Sequence, residues 1–288
     1  MKKGSKRFFT LLMFSFLSGH IIAQSTIYVC ASATGGNIGT SWTNAYISLQ
    51  SALDAAVFGD QIWVAKGTYK PSYDYGSGGG SRYYHFELKN GIAVYGGFAG
   101  TESTLNQRAD FGQGEINETI LSGDLNNNDV FDVANGGYQG TSGNDNCYHV
   151  LYNTNLTNTA LIDGFTITGG NANGASEPYN DGAGMLLSAS SPTIRNLVFT
   201  SNSSGNRGGA MHLWESSPEI RNCTFTENKS THGGGVCIII TSVPVLTNCL
   251  FVYNYSQNGG AVECFNSSAQ FTNTTFAMNT ASAYWIFQ

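Results

Sequence analysis

The sequence predicts an all-β chain, a right-handed parallel β-helix whose rungs are about 26 residues long, entered through a short N-terminal capping helix. Three observations carry this expectation. The second half repeats itself at a fixed period. Apolar residues alternate at period two within each repeat. Charged residues make up only 11% of the chain, while glycine reaches 36 of 288.

Four segments align, starting at Gly182, Gly208, Gly233 and Gly259, spaced 26, 25 and 26 residues apart. Phe199, Phe225, Phe251 and Phe276 hold one column. Asn196, Asn222, Asn248 and Asn273 hold a second, and Asn202, Asn228, Asn254 and Asn279 a third. Pro192, Pro218 and Pro244 share a fourth. Helical repeats run to about 33–47 residues and need a 3.6-residue apolar spacing, which is missing here. Instead Met211 and Leu213 alternate with His212 and Trp214, and Ile220, Cys223 and Phe225 read as inward against outward Arg221 and Thr224. Each unit is therefore two or three short strands joined by Gly, Ser-Pro and Asn turns. Stacked copies place Phe over Phe inside and Asn over Asn at the corners, about 4.8 Å apart.

Composition supports the same class. Gly, Asn and Thr are poor helix formers and good turn formers. An apolar content of 41% excludes a disordered chain.

Residues 1–23 read as a secretory signal peptide: Lys2, Lys3, Lys6 and Arg7, an apolar run from Phe8 to Ile22, then Ala23. The run is short for a spanning helix. Residues 24–288 form the expected β-helix domain, with regular repeats over 182–280. Ser48 to Phe58 carry apolar residues on a helical face and would cover the open first coil. Strands are expected at Gln61 to Tyr69, Lys89 to Phe98, Thr119 to Gly123, Cys147 to Asn153 and Ala160 to Gly169. Tyr73 to Ser81, Asn106 to Glu118 and Asn126 to Asn146 are the long loops, where binding would sit. The chain stops at Gln288, where the next Gly-Gly corner was due; Tyr284, Trp285, Ile286 and Phe287 either fold over the last rung as a minimal plug or begin a rung that never completes, and the second, a C-terminally truncated solenoid with an open, self-associating last rung, is the expectation.

Without the signal, nine basic side chains face nineteen acidic ones, a net charge of about −10. That balance argues against nucleic acid as a partner and against electrostatic capture of polyanionic sugars. No transmembrane span is expected in the mature chain.

Six cysteines in an exported chain invite disulfides, but Cys223 and Cys249 fall in one inward column, with Leu197 before and Thr274 after. They read as buried apolar thiols, with a bridge between stacked neighbours left open. Catalysis on this scaffold needs clustered groups: an Arg or Lys base for a lyase, or paired carboxylates for a hydrolase. Arg195 and Arg221 share an outward column, with Glu219 beside Arg221, and read chiefly as solvated surface. His85, His149, His212 and His232 show no common spacing. One calcium candidate is present: Asp124, Asn126, Asn128 and Asp132 place oxygens at alternate positions of a loop. Asp129 stands at its sixth position, where Gly is usual, and Asn135 at its twelfth, where Glu is usual.

The stretch SLQSALDAAVFGDQIWVAKGTY resembles the capped first coil of pectin-lyase-like β-helix proteins. YGGFAGTE, ILSGD and IDGFTITGGNAN resemble segments of secreted right-handed β-helix proteins of Bacteroidetes type. The GGA and FxxN columns resemble the repeats of chlamydial polymorphic outer-membrane proteins. The resemblance implies a fold and export to the cell surface or medium, and leaves activity open. Three readings follow. The preferred one is a non-catalytic secreted or cell-surface protein, an adhesin or a binder of glycan or host components. The alternative is a polysaccharide lyase or other carbohydrate-active enzyme. The third is a passenger fragment of a longer outer-membrane protein.

Overall fold

A computed structural model describes residues 25–76 and 78–283. The expected signal peptide and residues 284–288 lie outside the described residues. The described chain winds as a parallel β-helix with three long faces. One sheet runs Thr26–Val29, Gln61–Ala65, Ala93–Phe98, Leu161–Asp163, Thr193–Arg195, Glu219–Arg221, Val245–Thr247, Gln270–Thr272. A second joins Gly67–Tyr69 through Thr119–Ser122, Thr166–Thr168, Val198–Thr200, Thr224–Thr226 and Leu250–Val252 to Thr275–Ala277. The third stacks Leu151–Thr154, Met185–Ser188, Met211–Trp214, Val236–Ile239 and Val262–Phe265. Every pairing within these sheets is parallel, as one coil laid on the next requires.

The register places like on like. Phe199, Phe225, Phe251 and Phe276 pair in succession, their rings stacked with centroids 5.1, 4.4 and 5.0 Å apart and planes nearly parallel. Ile162, Ile194, Ile220 and Leu246 line the first sheet, and Met185, Met211 and Val236 the third. Cys223 and Cys249 are buried in the same core as free thiols.

Corners explain the conserved-looking columns of the repeat. Asn196, Asn222, Asn248 and Asn273 all take left-handed backbone angles, φ 47 to 54°, which Asn tolerates better than most residues. Their amides form an outer ladder, each Nδ2 donating to the Oδ1 of the preceding rung at 2.7–3.2 Å. Asn202, Asn228, Asn254 and Asn279 form an inner ladder. There each Nδ2 donates to the next Oδ1 and also to backbone carbonyls, so the buried turn leaves no amide unpaired. The third corner carries a hydroxyl ladder beside the Ser-Pro positions: the backbone N–H groups of Ser190 and Ser216 donate to Ser216 and Ser242 Oγ at 2.9 Å. The fourth needs glycine. Gly208 sits at φ +61°, and a Cβ there would lie 2.1 Å from the Met211 carbonyl oxygen.

The N-terminal helix is shorter than expected, Leu49–Ala55, because Ala56 already returns to extended angles. Leu49, Ala52 and Leu53 bury its apolar face against the first two strands of the stack. The segment 126–146 is not loop alone. It folds an antiparallel hairpin, Phe131–Asp132 with Gly137–Tyr138, that Tyr138 pins to the coil by donating to Ser201 O at 2.8 Å. The sequence hid this hairpin because its strands are two residues long and flanked by Asn and Gly. On the last described rung Phe271 and Phe276 are exposed.

Candidate functional site

The outer face of the third sheet carries the groove with the richest chemistry. One outward column runs Tyr152, Leu186, His212, Cys237, Glu263 in register. The next runs Ser188, Trp214, Ile239, Phe265. Along one side the chain returns to the sheet through Asp181, Arg207, His232 and Asn258, which bridge one another rung by rung just before each corner glycine. The segment ending at Asp181 adds Glu177 as a wall. Two adjoining hollows of ≈ 270 and ≈ 340 Å³ result, with Glu177 and Trp214 lining both.

The polar groups are interlocked. Arg207 Nη1 donates to Glu177 Oε1 and lies 3.5 Å from Asp181 Oδ2, while the Arg207 backbone N–H donates to Asp181 Oδ1 at 3.0 Å. Burial pushes the Asp181 carboxyl up to about 6, with Arg207 opposing the rise. His212 Nδ1 is 3.7 Å from Asp181 Oδ2, too long for a hydrogen bond. Burial, reinforced by Arg207, pulls His212 down to about 3, so at neutral pH it is an uncharged imidazole. It is 1% exposed, and neither ring nitrogen has a partner among the described residues. In the second hollow His232 Nδ1 lies 3.0 Å from Glu263 Oε2.

Aromatic rings extend this face toward the first coils. Tyr152 meets His149 and His85 at centroid distances of 5.3 and 5.4 Å, and His85 meets Tyr75 at 5.1 Å. His149 is fully buried and held near 3 by that burial, with Nε2 unpartnered among the described residues. The histidines His85, His149 and His212, which share no spacing in the sequence, thus come together around one sheet. The outward set of His212 and Trp214 was legible in the alternation. The rim was missed, although its signal was present: the residue before each repeat-opening glycine, in a column already aligned.

The other candidates lie elsewhere. Arg195 and Arg221 neighbour each other on the first sheet. Arg221 is exposed and ion-paired with Glu219. Arg195 pairs in register with Asp163, whose carboxylate takes Arg108 Nη2 at 2.8 Å and clasps the 99–118 loop to the coil. In the calcium candidate, Asp124 Oδ1 accepts from the backbone N–H groups of Asn126, Asn127 and Asn128, and Oδ2 from Asp129. Asn126 and Asn128 are thereby gathered around Asp124 through their backbone. Asp132 turns to its own following turn, accepting from Ala134 and Asn135. Beside the loop, Asp129 Oδ1 and Asn146 Oδ1 are buried without a hydrogen-bond partner. Among the described residues, no three His, Cys, Asp or Glu side chains are grouped to hold a metal ion. No described helix is long and apolar enough to cross a membrane.

Residues 154–288 match the family model of the right handed beta helix region. No curated protein matches the chain. Among solved structures it is similar to pectate lyase Pel9A, at 14% identity and a TM-score of 0.46, over 87% of this chain and 53% of that one. The chain thus spans about half the length of that structure. Its continuous parallel sheets, its stacked ladders and the family match over its second half make this chain a right-handed parallel β-helix.

Proposed function

We propose that the chain is an exported, non-catalytic glycan-binding protein that holds a polysaccharide along the groove of the third sheet. The single observation that carries the reading is the groove itself: Tyr152, Trp214 and Phe265 offer ring surface at every second rung, interleaved with hydrogen-bonding groups of Glu177, Asp181, His212 and Glu263. Sugar rings present an apolar face and a rim of hydroxyls, and such alternation suits both. Arg207 supports binding over catalysis, because its guanidinium is engaged by two carboxylates rather than poised as a base. Export, with residence at the cell surface or in the medium, is supported by the charge and hydropathy pattern of residues 1–23.

Immobilised polysaccharides of neutral, basic and acidic classes test the reading. The protein is expected to be retained on at least one, and Trp214→Ala to lose about tenfold or more in affinity with the fold intact. Equal retention of the variant would move the site elsewhere. The enzymatic alternative is favoured by one observation, the Glu177 and Asp181 carboxyls converging on one guanidinium, with Asp181 held at about 6. Release of reducing ends or unsaturated products, abolished in Asp181→Asn, would establish it instead.

Calcium at the Asp124 loop is a second element of the proposal, supported by the unpartnered oxygens of Asp129 and Asn146 beside it. Added calcium is then expected to raise the melting temperature above that in chelator, and coincident melting curves would remove the ion.

A further inference from the structure

The charge inventory of the groove goes further than glycan binding in general. Glu177, Asp181 and Glu263 line it, against one permanent cation, Arg207. Arg207 is already held between Glu177 and Asp181, so it offers no free guanidinium to an incoming anion. His232 faces Glu263 and Asn258 and is directed along the rim. No lysine lines either hollow. Carboxylates alone would make only an acidic patch. The second observation is His212, 1% exposed, lining the first hollow with two ring nitrogens that no described group satisfies. A buried polar atom without a partner is costly, and a ligand hydroxyl or N–H that reaches it removes the cost.

We infer that the groove selects amino sugars: a cationic glycan whose ammonium groups are received by Glu177, Asp181 and Glu263 while its rings rest on Trp214 and Tyr152 and one polar hydrogen reaches His212. Each feature favours that ligand. A uronic acid polymer would bring anions against three carboxylates with the one guanidinium spent, and would also be repelled by the net charge of about −10 on the mature chain. A neutral glucan would stack on the rings and leave uncompensated the excess of three carboxylates over one guanidinium. An ammonium gains from both, because a cation over the face of Trp or Tyr is attracted by the ring itself. Two adjoining hollows that share Trp214 make the site at least two sugar rings long, crossing from rung to rung along the solenoid.

This inference rests on the glycan-binding reading, and one calorimetric series at mildly acidic pH, where the sugar amines are protonated, separates the two. The probes are a fully deacetylated chitosan hexasaccharide, cellohexaose, hexagalacturonate and hexalysine, with the wild-type chain and Glu177→Gln. Glu177 is chosen because its side chain is nearly half exposed and its loss leaves the Asp181 backbone contact in place. The expected result is chitosan hexasaccharide bound about tenfold or more tighter than cellohexaose, weakened by added salt, and losing more affinity than cellohexaose does in Glu177→Gln. Cellohexaose bound as tightly, or hexagalacturonate bound more tightly, would overturn the amino-sugar inference while leaving glycan binding standing. Hexalysine bound as tightly as the chitosan would overturn it in favour of a basic peptide. No binding of any sugar would overturn the glycan reading and this inference together.

Discussion

At the scale of single residues, burial sets the protonation of four groups in opposite directions. Asp129 is pushed up to about 7 and Asp181 to about 6, both chiefly by burial. His149 and His212 are pulled down to about 3. Between the ordinary carboxylate value of 3.8 and about 7, native Asp129 keeps a proton that the unfolded chain has lost, so its contribution makes stability fall as pH rises through that window. With calcium removed by chelator, Asp129→Asn is expected to melt higher than wild type near pH 7 or above, and alike near pH 4, in paired thermal scans. For the histidines the unfolded chain takes up protons below its ordinary value of 6.5 that the native state refuses down to about 3, so stability falls as pH drops. His149→Gln should flatten that acid limb relative to wild type. A parallel limb would mean that His149 is not held neutral in the fold. Little of this was legible in the sequence. The alternation marked His212 as outward, but nothing in the spacing showed that it would line a hollow while only 1% exposed. Asp181 and Arg207 each stand one position before a repeat-opening glycine and were readable as a column. That they rim a groove depends on which way the chain turns at that glycine.

Among the elements, the two asparagine ladders look alike in sequence and differ in energetics. The inner ladder is buried: Asn228 donates to Phe199 O, Thr226 O and Asn254 Oδ1, and accepts from Asn202. Asn228→Ala strands several buried groups at once and is expected to cost about 2 kcal/mol or more. The outer ladder faces water. Asn222→Gly, which keeps the left-handed backbone at φ 53° while deleting the amide, is expected to cost under about 1 kcal/mol. Phe225→Ala empties a site between two stacked rings and should cost ~3–5 kcal/mol. Urea unfolding curves of the three variants check the order, and an outer-ladder loss as large as the inner one would contradict the assignment of faces. Here the sequence was nearly sufficient: the columns over 182–280 identified which residues stack, because each rung repeats the environment of the last. The first coils were harder to read. Their strands carry no repeated column, and long insertions such as the 126–146 hairpin separate them. The capping helix ended sooner than its apolar pattern suggested because Val57 and Phe58 are exposed rather than part of its buried face.

For the molecule as a whole, the solenoid turns chemistry spaced about 26 residues apart into a continuous surface at neighbouring heights. On the first sheet the early coils are covered by the Arg108–Asp163 clasp and the aromatic packing of Trp42, Trp63 and Phe98. The face of the third sheet stays open and carries the rings and charges described above. Glycan binding on this face is the central claim to test. Hydroxyl-radical footprinting of the chain, with and without the oligosaccharide it binds most tightly, reads this directly, since ring side chains label strongly when open to solvent. The expected result is reduced labelling at Tyr152, Trp214 and Phe265 together, with Tyr73 and Tyr253 unchanged. Unchanged labelling at Trp214, with protection appearing at Tyr253 or Phe271 instead, would place the ligand on another face and contradict the groove.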